Sequence, residues 1–173
     1  ISPYLVKNVG IKESQLAYVY LAGGFATLFT GRWIGRMADR YGKPKVFAVV
    51  AILSILPLMV VTHLPLGAPL WFCVANGTLF MVLISGRAVP MNAMISTIVA
   101  PSLRGSYMSF SNSIQQLSSG VAAFFGGMII GHTSTGALAN YGAVGWIAAV
   151  TTLFAVWLGQ RLTKFSPVSD SGG

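Results

Sequence analysis

Acidic residues are almost missing from this sequence. Its 173 residues hold 3 Asp+Glu against 11 Lys+Arg, and charged residues of either sign make up 8%. A soluble domain carries about 25% charged residues. This chain therefore lacks the means to cover a water-facing surface, which excludes an ordinary cytosolic enzyme and a disordered tail. Cysteine occurs once, as Cys73 inside an apolar run. One thiol forms neither an internal disulfide nor a metal framework, and an apolar setting makes it a buried, inert one. No initiator Met opens the chain, and no basic segment precedes an apolar core, so no signal peptide is visible. The chain is expected to be cut from something longer.

What the sequence does have is apolar length. Hydrophobic residues reach 54%, and the mean hydropathy is +0.72. The expected class is all-α, a polytopic transmembrane helical bundle with the lipid bilayer as its first partner. The net charge of +8 does not point to nucleic acid. The bases sit in short gaps between apolar runs rather than on one soluble face with stacking aromatics.

The apolar runs divide the chain. Residues 1–9 read as the end of a truncated helix, and residues 10–164 as five spans, at about 16–34, 46–61, 69–100, 106–131 and 144–162. Each approaches or exceeds the roughly 20 residues needed to cross a hydrocarbon core. Ser14 is the candidate N-cap of the first span. The third run is long for one span, and Pro90 inside it predicts a kink. Residues 165–173 read as a disordered cytoplasmic tail. The loops alternate in charge. Residues 62–68 and 132–140 carry no Lys or Arg, whereas Arg36, Arg40, Lys43 and Lys45 crowd into 36–45, Arg104 follows at 101–105, and Arg161 and Lys164 close the last span. The 7–13 loop, with Lys7, Lys12 and Glu13, is a mild exception. Positive-inside orientation then puts 36–45, 101–105 and the C-terminus in the cytoplasm.

Two spans carry small residues every four positions: Gly23, Thr27, Gly31 and Gly35 in the first, and Ser119, Ala123, Gly127 and Gly131 in the fourth. Residues four apart share a helix face, and small ones let another backbone come close. Gly23, Gly31, Gly127 and Gly131 are therefore candidate helix-packing positions.

Between the first two full spans lies Gly35-Arg36-Met37-Ala38-Asp39-Arg40-Tyr41-Gly42-Lys43-Pro44-Lys45. Asp39 is the lone acid in a basic cluster, expected to be ionised and paired or aimed at a helix N-terminus. Gly42 suits a tight turn that needs positive φ. The segment resembles the signature loop of the major facilitator superfamily, Gly-x-x-x-Asp-Arg/Lys-x-Gly-Arg/Lys-Arg/Lys. Gly35, Asp39, Arg40, Gly42 and Lys43 match in order and spacing, while Pro44 stands where the final basic residue belongs. The resemblance implies half of a twelve-helix transporter built from two lobes of six. It further implies that this loop latches one conformational state through charge contacts with the other six-helix half, with Asp39 and Arg40 in that role. The short polar tail favours the C-terminal half, and the N-terminal half is the alternative because the signature loop is usually better kept there. The general pattern is similar to bacterial drug and sugar efflux members, which implies a bacterial inner membrane, a small-molecule substrate and antiport. A metabolite symporter and a non-transporting scaffold or receptor of the same fold are the alternatives.

Arg87 lies deep in the third run. A charge at that depth faces the bundle interior or water, unless it snorkels to the interface. Its position resembles the arginine of a second superfamily motif, implicated in proton or substrate handling. Asn92 follows it, and Asn112, Gln115 and Gln116 share one side of the fourth span with Ser119. Arg87, Asn92, Asn112, Gln115 and Gln116 are the candidate lining of a substrate or coupling cavity; gluing helices together is the alternative. No metal site and no cofactor are expected, since His63 and His132 stand apart without a third ligand. No nucleophile, acid and base set occurs in the spans, so an intramembrane enzyme is not expected. The three acids, Glu13, Asp39 and Asp170, all lie in loops or the tail. Ion coupling through a buried carboxylate is therefore expected from the other half.

Overall fold

A computed structural model describes residues 2–99, 101–132 and 138–165. A helical turn α1 (Ser2–Tyr4) runs into a π-helical turn at Leu5–Val9, followed by α2 (Glu13–Tyr41), α3 (Lys43–Leu53), α4 (Ile55–Thr62), α5 (Leu70–Ile98), α6 (Arg104–Ile129) and α7 (Tyr141–Phe165). Helix covers most of each of the five expected spans. Lys43–Thr62, Leu70–Ile95 and Tyr141–Arg161 are long and apolar enough to cross a membrane. Helices α2 and α6, with 29 and 26 residues, have the length but a more polar composition. Of the expected tail, residues 166–173 lie outside the described residues.

Helix ends follow local chemistry. The first span begins at Glu13 rather than after Ser14, and the Gln15 side-chain oxygen accepts the Lys12 N–H at 3.1 Å, which satisfies one of the donors a helix start leaves open. At its other end α2 continues well past Ile34, through the charged signature segment to Tyr41. Gly42 then has φ +94°. Its N–H donates to the Ala38 carbonyl, and its own carbonyl accepts from Val46 N–H, both at 3.1 Å. One residue thus ends α2 and starts α3.

Pro57 and Pro90 lie inside helical spans. Helix α5 runs unbroken through Pro90, whose side chain is fully buried. The interruption comes in the second span instead, where a turn at Ser54 separates α3 from α4. Pro57 explains it: its ring has no N–H to offer the carbonyl of Leu53 and crowds it. Ser54 Oγ donates to the Ala51 carbonyl at 2.7 Å, and Asn76 Nδ2, from α5, donates to the Pro57 carbonyl at 3.1 Å. Both bonds are buried.

Three clusters make the core. Tyr4, Leu5, Val9, Ile11, Val61, Leu64 and Cys73 pack at the end where the N-terminal segment enters. Ile34, Ala38, Val46 and Val50 pack near the signature segment, and Ala48, Ala51 and Val156 join α3 to α7. The entry end is also tied by polar contacts. Tyr4 stacks on Tyr141 at 4.4 Å and donates its hydroxyl to the Leu64 carbonyl at 3.1 Å. The Asn8 amide pairs with both backbone groups of Leu138 at 2.9 Å. Leu138 lies in a two-residue antiparallel pairing of β1 (Gly131–His132) with β2 (Leu138–Ala139).

Helix α6 stands apart from this core. None of its residues is buried.

Candidate functional site

Two places gather the residues singled out in the sequence. The first is an open cleft of about 760 Å³ between α3, α5, α6 and α7. Arg87 reaches it from α5, Gln115 and Ser119 from α6, and Thr151, Thr152 and Gln160 from α7, while Phe47, Met91 and Met94 give it apolar walls. Arg87 is half-buried and makes no hydrogen bond or ion pair among the described residues. Its guanidinium is thus a cation in an apolar cleft with no acid beside it. Polar groups in such surroundings need partners, and a partner here must come from solvent, substrate or another part of the protein.

The other cavity candidates are placed elsewhere. Asn92, Asn112 and Gln116 are exposed and do not line the cleft. Asn92 lies five residues beyond Arg87, which puts it on another side of α5. Asn76, by contrast, was not legible as a polar contact of consequence. A lone Asn in an apolar run gives no hint that a proline on another helix has left a carbonyl to be satisfied.

The second place is the signature segment. Gly42 has the positive φ that the sequence demands of it. Asp39 is exposed and forms no ion pair among the described residues, so the pairing expected for it is not made within them. Arg40 is exposed and lies over the ring of Tyr41, 5.4 Å from its centre. Lys43 turns the other way and donates to the Ala93 carbonyl at 3.3 Å, near the C-terminal end of α5, where a cation is favoured by the helix dipole. Gly35 meets Val89 in ordinary contact at 3.7 Å.

The small-residue positions divide sharply. Gly23 packs on Met81 of α5 so closely that a Cβ would overlap it. Gly131 has only Ala139 near it, at 3.7 Å, and Gly31 and Gly127 meet nothing within 4 Å. The packing expected at Gly31 and Gly127 is therefore not made among the described residues. The close approaches missed by the four-residue spacing are at Gly77 against Val19, Gly86 against Ile34, and Gly145 against Thr62.

A helical bundle with three membrane-length apolar helices and this loop at a helix junction suits a transporter fold, and comparison with known proteins decides the matter. The profile described as Major Facilitator Superfamily matches residues 1–172. The chain belongs to the Major Facilitator Superfamily. Within the superfamily it is similar to the "Uncharacterized MFS-type transporter YbcL" of Bacillus subtilis (strain 168), at 26% identity over 169 residues, which covers 92% of this chain and 40% of that protein. The chain thus spans well under two thirds of the length of this relative. No solved structure matches it. As a Major Facilitator Superfamily chain it is an integral membrane protein of a transporter family, with the bilayer as its surroundings.

Proposed function

We propose that the chain is one six-helix lobe, the C-terminal one, of a two-lobed secondary transporter that moves a small organic solute by alternating access. The C-terminus is cytoplasmic by the placement of the bases. The favoured direction is efflux of a drug-like or sugar substrate from a bacterial cell, by antiport. The coupling carboxylate belongs to the other lobe, since no acid of this one lies in an apolar span.

The observation that carries the reading is Arg87 in the 760 Å³ cleft, without an acid partner among the described residues, in a chain of this superfamily. A cleft with one convergent cation and a few uncharged polar groups among methionines can orient a small solute. The open faces of α2 and α6 are where the second lobe seats, and the close-packed seam between α2 and α5 keeps this lobe a rigid unit as it rocks. Asp39, exposed beside the Gly42 joint, serves as the carboxylate of the latch toward that second lobe.

The test is flux in proteoliposomes of the full-length protein, scanned with lipophilic drugs and simple sugars. Arg87→Ala is expected to cut flux at least tenfold with membrane insertion intact, and Asp39→Asn to cut it several-fold. Wild-type-like flux in Arg87→Ala would remove the substrate role and leave the snorkelling one. No directional flux of any probe by the wild type would favour the scaffold reading.

A further inference from the structure

Trp33, Arg36, Met37, Arg40 and Tyr41 line a second, shallow cleft of about 370 Å³ at the C-terminal end of α2. Trp33 is 71% exposed, and both arginines are exposed. Neither guanidinium has an ion-pair partner among the described residues. A helix turns about 100° per residue. On that count Gly24, Gly31 and Gly35 fall on one flank of α2, and Trp33, Arg36 and Arg40 fall roughly 150° away on the other. The residues buried toward the rest of the lobe, Val19, Gly23, Ile34 and Ala38, lie between the two flanks.

The flanks differ in what they can accept. Bare glycines suit the backbone of another helix. Two long cations, an indole and a phenol do not, because a helix packed there would bury two unpaired guanidiniums at a large desolvation cost.

We infer that this second flank binds the headgroup of an anionic phospholipid of the cytoplasmic leaflet. The depth suits it. Tryptophan marks the boundary between tails and headgroups, and Arg36 and Arg40 lie about 4.5 and 10.5 Å beyond Trp33 along the axis. The arginines stand one turn apart, so both planar forks donate to the oxygens of one phosphodiester. The indole lies against the acyl chains below it. The leaflet supplies the complementary charge, and anionic lipid attracts each arginine held at its surface. The nearby charges do not cancel the site. Asp39 lies about 60° round from Arg36 and about 100° from Arg40, toward the glycine flank, and forms no ion pair among the described residues; Lys43 is engaged with the Ala93 carbonyl.

The test uses the full-length protein with Trp33 as its sole tryptophan, in phosphatidylcholine vesicles. Quenching of Trp33 is read with a minor fraction of brominated phosphatidylglycerol and, separately, with brominated phosphatidylcholine. The anionic lipid is expected to quench at a lower mole fraction. Arg36→Gln and Arg40→Gln should each lower that preference by about fivefold, while quenching by brominated phosphatidylcholine persists and shows the helix still inserted. Inorganic phosphate should leave the quenching unchanged. Equal quenching by the two lipids would overturn the site. Absence of quenching by either would overturn it by showing the flank covered by protein, and full displacement by inorganic phosphate would make it a site for a free anion instead.

Discussion

Helices α5 and α6 both carry scattered glycines, yet they meet opposite surroundings. Along α5, Gly77 takes Val19 of α2, Met81 fills the space at Gly23, and Gly86 takes Ile34. The pairs rise together along both helices, so α2 and α5 run in the same direction and press close over much of their length. Along α6, Gly120, Gly126 and Gly127 meet nothing within 4 Å, and Met128 is 70% exposed. A glycine marks a place where close approach is sterically allowed. It does not say whether the approaching partner belongs to the same chain. At the α2–α5 seam it does; along α6 the described residues supply none.

The contrast can be broken or sharpened by substitution. The largest effect is expected from Gly77→Leu. A Cβ there would lie 2.5 Å from Val19 Cγ1, and a β-branched neighbour has little rotamer freedom with which to yield. Reversible unfolding of the full-length protein in mixed detergent micelles, followed by helicity, should show a loss of about 3 kcal/mol. Gly42→Ala comes next. Its φ of +94° lies where a side chain strains the backbone, and the same measurement should show a loss of about 2 kcal/mol. Asn76→Ala removes the bond to the Pro57 carbonyl and should cost about 0.6 kcal/mol, the usual scale for a polar contact between membrane helices. Gly127→Leu should be smallest, within about 0.5 kcal/mol, because a side chain there meets none of the described residues within 4 Å. Equal losses in Gly77→Leu and Gly127→Leu would dissolve the comparison by showing α6 as tightly seated as α5.

Much of the fold was legible because long apolar runs separated by basic or glycine-rich gaps leave little choice but helices. The boundaries were less so. Arg36, Asp39 and Arg40 were read as loop residues because charge usually ends a membrane span, yet nothing in those side chains opposes helical geometry, and α2 keeps its hydrogen bonds until Gly42. The break at Ser54 is hidden for a different reason. A proline disturbs the carbonyl four residues before it, so Pro57 acts at Leu53 and the turn falls at Ser54, where the sequence shows nothing unusual. At the site, Arg87 and Gln115 share the cleft, but Asn92, Asn112 and Gln116 do not. Polarity marks a residue that needs a partner without saying on which side of the helix that partner stands.

The junction at Gly42 has one more consequence. Its two backbone groups are bonded into successive helices, so a single pair of dihedral angles links the adjoining ends of α2 and α3. Torque on either rod passes to the other with almost no slack, and Lys43, anchored on α5, forwards it to a third. A push on the C-terminal tip of α2 would then be felt as a joint turn of three helices rather than as the bending of one strut.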